Sequence, residues 1–328
     1  MTRRTRAVRI HRTGGPEVLC VEELELGVPG PGQALVRHEA IGVNFIDTYH
    51  RSGLYPLDGF PSPLGHEGAG VVEAVGPGVG EVSVGQRVAY AGRPVGAYAE
   101  ARLMPAERLV PLPAGIASEQ AAGMMLKGMT AEYLLRRTYP VKAGQTVLFH
   151  AAAGGVGLIA CQWLKHLGAT VIGTVGSDEK AELARAHGCT HTIVYTRENF
   201  VERVRELTGG RGVPVVYDSV GRDTFLGSLD CLEPRGTFVG FGNASGKPEP
   251  FDVTLLAAKG SLYMTRPTLF TYTASRPELL ASANALFEVV QAGAVRIEVR
   301  HRFPLAEVAE AHRALEGRRT TGSCVLVP

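Results

Sequence analysis

The segment TVLFHAAAGGVGLIACQWLKHLG, residues 146–168, constrains the fold of this chain more than any other feature. Residues 146–150 have the apolar character of a strand, and residues after the glycines have helical spacing. The turn between them fits the spacing G-x-G-x-x-G, with Ala152 in the first glycine position and Gly157 in the last. Such a turn between a strand and a helix is typical of a dinucleotide-binding βαβ unit.

The surrounding pattern predicts an α/β protein with two kinds of domain. After residue 146, apolar strand-length runs alternate with helical segments that end in glycine, which predicts a doubly wound parallel sheet of the Rossmann type. Before about residue 115, short strands bounded by Gly and Pro predict an antiparallel, barrel-like domain. The last part, with a strand near 295–300, a helix over 306–317 and a strand over 323–327, is expected to return to the first domain.

Composition excludes several classes of protein. Of the 328 residues, 45% are hydrophobic and 20% charged, as in ordinary globular chains, and the net charge of +2 argues against a nucleic-acid partner. No apolar run approaches the roughly 18 residues of a membrane span, and no signal peptide is predicted. The five cysteines include no CxxC pair, which favours buried thiols in a reducing cytoplasm.

The glycine-rich turn and the end of the second strand predict how a dinucleotide is bound and which one. Gly154 lets the backbone approach a pyrophosphate at a helix N-terminus, and Gly157 allows close packing of helix on strand. An NAD site usually offers a carboxylate at the end of the second strand, but residues 173–177 contain none and Lys180 follows. This favours NADP, although Asp178 and Glu179 are adjacent and Lys180 has the alternative role of a solvated helix charge.

Several stretches resemble one known family. They are the run from Gly144 to Lys165, GVNFIDTYHRSGLYP (42–56), LKGMTAEYLL (126–135), VVYDSVGRDT (215–224) and GSLYMTRP (260–267). Together they resemble the quinone oxidoreductase or zeta-crystallin group of the medium-chain dehydrogenase/reductase superfamily, over nearly the whole chain.

The resemblance implies a domain plan and an activity. It implies a GroES-like antiparallel β-barrel domain built from residues 1–125 and 267–328, and a Rossmann NADP-binding domain over 126–266. The implied enzyme is a zinc-independent, NADPH-dependent quinone oxidoreductase with its active site in the cleft between the domains. It would be a cytoplasmic homodimer joined through its Rossmann domains, with a small-molecule quinone as substrate.

The resemblance also implies roles for individual residues. Asn44 and Tyr49 would lie near the nicotinamide and its phosphates, where both are suitable hydrogen-bond donors for substrate positioning. The other implied cofactor residues are Thr130, Gly154, Gly155 and Val156 at the phosphates, Gly176, Lys180, Tyr195 and Arg318 at the adenosine end and its 2′-phosphate, and Ser219, Phe241 and Asn243 at the strand ends. Arg266 and Asn243 are further candidate donors. Each of these donors has the alternative role of satisfying local backbone, and no general acid is identified.

Other functions stay open at this point. The same fold reduces activated C=C bonds of alkenals and enones, for which Tyr49 could donate the proton. A non-catalytic NADPH-binding structural or RNA-binding role is a third interpretation. The near-neutral charge argues against RNA as the main partner.

The stretch PLGHEGAG, residues 63–70, raises the question of a metal. Zinc-dependent relatives place a cysteine where this chain has Asn44, and a further ligand where it has Lys127. His66 and Glu67 are then too few for a zinc site, which needs about three protein ligands. We therefore expect no metal, with Glu67 a structural carboxylate bonded to backbone or to an arginine and His66 on the cleft floor.

Overall fold

The computed structural model describes residues 3–328, which divide into two compact units. The first unit comprises residues 3–129, Thr273–Gln291 and Ile297–Pro328, and the second comprises Thr130–Tyr272 and Ala292–Arg296. The chain thus passes between units at 129/130 and 272/273, a few residues from the divisions expected at 125/126 and 266/267. The short return of residues 292–296 to the second unit was not expected.

The first unit is built on two sheets. The smaller one has the antiparallel order β2-β1-β4. The larger has the order β15-β16-β3-β5-β6-β8, with β7 also paired to β3. The strands are β1 (Arg3–Ile10), β2 (Cys20–Leu26), β3 (Gln33–Val43), β4 (Ser62–Pro63), β5 (Glu67–Val75), β6 (Arg87–Ala91), β7 (Ala101–Pro105), β8 (Val110–Pro111), β15 (Val299–Pro304) and β16 (Ser323–Val327). Both the antiparallel character and the contribution of the chain's last part agree with the expected fold.

Two details of this unit differ from expectation. The strand expected near 295–300 is β15 and begins at Val299, and it pairs with β16 in parallel within an otherwise antiparallel sheet. Its position is set by its partner, because its residues 299 and 301–304 pair along β16. The helices of the unit are α1 (Phe45–Ser52), α9 (Arg276–Gln291), α10 (Val308–Glu316) and most of α2 (Ser118–Tyr133).

The second unit is a parallel sheet with helical crossovers. Its six strands have the order β11-β10-β9-β12-β13-β14, and every described pair is parallel. The strands are β9 (Thr146–Phe149), β10 (Thr170–Val175), β11 (His191–Val194), β12 (Val213–Asp218), β13 (Leu232–Gly240) and β14 (Tyr263–Thr265). The helices are α3 (Gly155–His166), α4 (Asp178–Ala186), α5 (Phe200–Leu207), α6 (Phe225–Asp230), α7 (Thr254–Ala258) and α8 (Leu269–Tyr272). This is the predicted doubly wound Rossmann sheet.

Burial explains why the strands of the second unit are uninterrupted apolar runs. In β10, TVIGTV, five of the six residues are buried, as expected when helices cover both faces of a parallel sheet. By contrast β2 alternates along CVEELEL, because it is exposed to solvent on one face. None of the helices in residues 3–328 is both long and apolar enough to cross a membrane.

Candidate active site

The glycine-rich turn joins β9 to α3 in the second unit. Gly154 is the N-cap of α3 and contributes no side-chain cap, so the first N–H groups of this 12-residue helix are not covered by a capping side chain. A Cβ on Gly154 would meet only the Ala151 carbonyl oxygen, at 3.1 Å. Open N–H groups at a helix start are suited to a phosphate anion. The predicted positions Gly154, Gly155 and Val156 lie together at this helix start, and phosphate binding there stays a prediction.

Gly157 is required for a different reason from the expected one. A Cβ there would lie 2.4 Å from the Ala151 oxygen and 2.6 Å from the Ala152 oxygen. The glycine therefore lets the start of α3 approach the backbone of the turn that follows β9, whereas the expected close approach was to the strand itself.

Gly173 on β10 explains why alanine is tolerated at the first glycine position. A Cβ on Gly173 would lie 2.7 Å from the Ala152 Cβ and 2.6 Å from the Cys189 Sγ. The room that the motif usually obtains from a glycine in the turn is supplied here by a glycine on the next strand. Sequence reasoning missed Gly173, because its role depends on the pairing of β9 with β10.

Three of the four residues predicted for the adenosine end lie at the ends of β10 and β11. Ser177 is the N-cap of α4, and its hydroxyl accepts from the backbone N–H of Lys180 at 3.3 Å. A Cβ on Gly176 would lie 3.0 Å from the Tyr195 hydroxyl, so Gly176 and Tyr195 are in contact. Thus Gly176 and Lys180, after β10, and Tyr195, after β11, lie at the same edge of the sheet.

Arg197 is a residue of this region that sequence reasoning missed. Its guanidinium donates to both carboxylate oxygens of Asp178, each at 2.5 Å. This hydrogen bonding by Arg197 lowers the pKa of Asp178. Asp178 was one of the two acids, with Glu179, that counted against a 2′-phosphate, and Arg197 offsets the charge of Asp178. A loop arginine 19 residues away gives no local signal of this pairing.

Ser219, Phe241 and Asn243 are grouped at the ends of β12 and β13. The Phe241 N–H donates to the Asp218 carbonyl at 2.8 Å, and the Ala244 N–H donates to the Ser219 carbonyl at 3.1 Å. A Cβ on Gly242 would lie 2.5 Å from the same Ser219 oxygen. Thr130 is buried on α2, at the first position of the second unit.

Asn44, in the first unit, precedes α1 and is buried. Its backbone N–H donates to the Asp47 carboxylate at 2.9 Å, and its side-chain amide donates to Glu67 Oε2 at 2.8 Å. Tyr49 lies in α1 with its ring centroid 5.1 Å from that of Tyr55, edge to face. Arg318, after α10, is exposed with φ of 55°. Because these residues belong to the first unit, their predicted place beside a cofactor stays a prediction.

Glu67 is fully buried and accepts three hydrogen bonds. Besides Asn44, its partners are the Leu126 N–H at 2.7 Å and the Lys127 ammonium at 3.3 Å. Burial raises the pKa of Glu67, and the opposing effects of Lys127 and Asn44 do not fully offset it. The expected bond to backbone is present, and the charged partner is a lysine rather than the arginine that was the alternative.

His66 is also fully buried, and its Nδ1 lies 2.7 Å from Asp47 Oδ1. The ring stacks on His50 with centroids 5.1 Å apart. Although burial raises the pKa of Asp47, the hydrogen bond and charge of His66 and further partners bring it below the ordinary value. These contacts fix His66 within the domain.

Known proteins resemble the chain along its whole length. The family described as alcohol dehydrogenase GroES-like domain matches residues 30–114, and the one described as zinc-binding dehydrogenase matches residues 155–283. A quinone oxidoreductase of Pseudomonas aeruginosa is 58% identical over 315 residues, which cover 96% of this chain and 97% of that protein. A 2-haloacrylate reductase of a Burkholderia species is 52% identical over 328 residues, covering 98% of each.

Solved structures give the same result. The structure of Escherichia coli quinone oxidoreductase complexed with NADPH is similar with a TM-score of 0.97 at 49% identity, covering 99% of this chain and 100% of that one. A Rossmann sheet together with a GroES-like domain defines a nucleotide-dependent dehydrogenase or reductase. The chain belongs to the quinone oxidoreductase group of the medium-chain dehydrogenase/reductase superfamily.

The description zinc-binding dehydrogenase implies a metal, and the residues at hand do not fit one. An ammonium has no lone pair to give a metal, and that of Lys127 lies 3.3 Å from the Glu67 carboxylate. His66 contacts the Asp47 carboxylate through Nδ1. Over residues 3–328, no group of three or more His, Cys, Asp or Glu side chains could hold a metal ion.

Proposed function

We propose that this chain is an NADPH-dependent, zinc-independent quinone oxidoreductase. The observation that carries the proposal is the end of β10, where Gly176 contacts Tyr195, Lys180 lies in the first turn of α4, and Arg197 offsets the charge of Asp178. A site of this kind favours a 2′-phosphate over a free ribose hydroxyl. The quinone oxidoreductase of Pseudomonas aeruginosa and the NADPH complex of the Escherichia coli enzyme support the same assignment.

The cofactor residues would each act on a different part of the dinucleotide. The backbone N–H groups of Gly154, Gly155 and Val156 would bind the pyrophosphate at the start of α3. Lys180, Tyr195 and Arg318 would hold the 2′-phosphate. The remaining predicted contacts are Thr130 at the phosphates, Gly176 at the adenosine end, and Ser219, Phe241 and Asn243 at the nicotinamide side.

When bound, NADPH supplies the hydride, so the protein has mainly to position and polarise the substrate. A quinone is already electrophilic and needs a flat slot with a hydrogen-bond donor, not a Lewis acid. Asn44 would be that donor, with one amide hydrogen held by Glu67 and the other directed at the substrate. Tyr49, packed edge to face on Tyr55, would form part of the slot.

A second function, reduction of activated C=C bonds, is favoured by one observation. The Burkholderia relative, at 52% identity, is a 2-haloacrylate reductase. The two functions are separated by measuring NADPH oxidation against quinones, enones, 2-haloacrylates and alcohols under one set of conditions. Turnover of quinones is expected to have the highest kcat/KM, and turnover confined to enones or haloacrylates would replace the quinone assignment.

The cofactor assignment is tested by Lys180→Ala. Losing a charged hydrogen bond to the 2′-phosphate is expected to raise the KM for NADPH by roughly 10- to 100-fold and leave the KM for NADH nearly unchanged. Arg185→Ala, further along α4, is the matched control, because Arg185 bonds to Thr192. Equal effects of Lys180→Ala on both cofactors would remove this residue from the phosphate site.

We also propose a cytoplasmic homodimer joined through the second unit. The edge strand β14 exposes Tyr263 by 63% and Met264 by 39%, and unpaired sheet edges of this kind favour pairing with another copy. All five cysteines are free thiols, which is in keeping with a reducing compartment. Sedimentation velocity is expected to give a dimer for the wild type and a monomer for Met264→Lys, and a wild-type monomer would contradict the proposal.

A further inference from the structure

A buried histidine outside the predicted site contacts two elements beside the central strand of the second unit. His150 immediately follows β9 and is fully buried. Its backbone N–H donates to the Tyr217 carbonyl at 3.0 Å, which fixes its position beside β12. Its ring makes two hydrogen bonds, one between Nδ1 and Thr174 Oγ1 at 2.8 Å and one between Nε2 and Ser228 Oγ at 3.0 Å.

The direction of the hydrogen bonds follows from the carboxylate at one end. Asp218 Oδ2 accepts from the Ser228 hydroxyl at 2.9 Å and from the Thr224 hydroxyl at 2.7 Å. Ser228 has only one proton, and because it is given to Asp218, the Ser228 oxygen accepts from His150 Nε2–H.

The direction of the hydrogen bond between His150 and Thr174 then follows. Burial lowers the pKa of His150, with the charge of Asp218 opposing, so the ring is neutral near pH 7. A neutral ring protonated on Nε2 has a bare Nδ1, which accepts from the Thr174 hydroxyl. The result is one directed chain of hydrogen bonds, from Thr174 through His150 and Ser228 to Asp218.

This chain of hydrogen bonds connects the ends of three adjacent strands, β10, β9 and β12. Thr174 lies on β10, two residues before Gly176, and the Ala152 N–H of the glycine-rich turn donates to its carbonyl at 3.0 Å. Asp218 is the last residue of β12, directly before Ser219. Its Oδ1 accepts from the backbone N–H groups of Val220 and Gly221, and so stabilises the loop after β12.

We infer that His150 is a positioning residue that couples the adenosine side of the dinucleotide site, at β10, to the nicotinamide side, at β12. The inference rests on the proposed function for the identity of the ligand. His150 acts through its two ring partners, Thr174 and Ser228. A histidine that only filled the core would affect stability without linking the two sides.

A double-mutant cycle tests the coupling. Thr174→Val and Ser228→Ala each remove one of the two ring partners of His150, and each is expected to raise the Kd for NADPH by about 3- to 10-fold, as for loss of a hydrogen bond. If His150 transmits the effect, the double variant is weakened by clearly less than the product of the single factors. In a His150→Leu background neither substitution should weaken NADPH binding further.

Two conservative variants sharpen the test. His150→Asn places an amide near the position of Nδ1 and keeps the Thr174 contact, whereas His150→Gln reaches the position of Nε2 and keeps Ser228. We expect His150→Gln to raise the inhibition constant of 2′,5′-ADP more than His150→Asn does. We expect His150→Asn to lower kcat at saturating NADPH more than His150→Gln does.

The controls separate this inference from fold stability and from the proposed function. Thr208→Val removes a buried hydroxyl bonded at the end of α5 and should lower Tm without changing the Kd for NADPH. The coupling would be overturned if the effects of the two single variants on Kd multiply in the double variant and persist in the His150→Leu background. It would also be overturned if the variants change only Tm. A wild-type protein that does not bind NADPH would instead overturn the proposed function, and the cycle would then be run with the dinucleotide that binds.

Discussion

Two buried carboxylates, one in each unit, are stabilised by different means. Glu67 faces the ammonium of Lys127 together with two neutral donors. Asp218 has four neutral donors, two backbone N–H groups and two hydroxyls. Loss of a single cation is expected to destabilise the fold strongly, because it leaves a buried charge uncompensated. Where several neutral donors stabilise one carboxylate, the loss of any one of them is expected to lower the free energy of unfolding by less.

The two sites also differ in how far along the chain their donors lie. The side-chain and backbone donors to Glu67 come from 23, 59 and 60 residues away. The donors to Asp218 lie 2, 3, 6 and 10 residues away. The Asp218 loop is therefore assembled locally, whereas the Glu67 cluster exists only once the first unit has folded.

The largest expected effect is that of Lys127→Met. It should lower the free energy of unfolding by about 3–5 kcal/mol, because Glu67 would be left as a buried charge without its cation. Urea denaturation measures this, and the double variant Glu67→Gln/Lys127→Met should recover most of the loss. A single variant within about 1 kcal/mol of the wild type would show that the pair contributes no more than an exposed one.

Gly42→Ala tests the packing around the same carboxylate. A Cβ on Gly42 would lie 2.3 Å from both the Ala122 carbonyl oxygen and Glu67 Oε2, so the backbone itself must move. Overpacking of this kind is expected to cost about 1–3 kcal/mol by urea denaturation. Gly80→Ala, which meets nothing within 4 Å, is the control. Equal stability of the two variants would contradict the close approach of Glu67 to β3.

Thr224→Val removes one of the four donors to Asp218. The expected loss is about 1.5 kcal/mol, the lower end for a hydrogen bond to a charged group, because three donors remain. The comparison between the two carboxylates fails if this loss, measured in urea, equals or exceeds that of Lys127→Met.

The smallest effect is a dependence of stability on pH. The folded pKa of Glu67 is raised above 4.5, so the folded state binds the proton more tightly than the unfolded chain. Stability from this proton is present below about pH 4.5 and is lost as pH rises through the folded pKa. Stability of the wild type relative to Glu67→Gln should therefore fall across this window in denaturant titrations. A rise would mean that Lys127 outweighs burial.

The same contrast explains what could be predicted from the sequence. The turn after β9 and the start of α4 depend on neighbouring residues, so the positions of Gly154, Gly157 and Lys180 in these elements could be predicted from spacing alone. Gly173 and Arg197 were missed, because each acts on a residue of another segment, Ala152 or Asp178. The reason given for Gly157 was wrong in detail, since backbone geometry within the turn is not visible in a sequence.

Polar residues in apolar segments gave a signal that was not used. Asp218 ends the buried strand VPVVYD, and His150 follows TVLF, so each is a polar residue at the end of an apolar run. Burial without a partner would be costly at either position, so each requires hydrogen bonds. Their partners could not be named from the sequence, because Thr174 and Ser228 lie 24 and 78 residues from His150.

The central claim is that reduction is carried by a dinucleotide in the second unit, with no metal beside Glu67. The direct measurement is elemental analysis of protein purified without chelator, followed by NADPH:quinone turnover before and after dialysis against a chelator. We predict zinc far below one ion per chain and an unchanged kcat. Stoichiometric zinc, with activity lost on chelation and restored by zinc alone, would contradict the account.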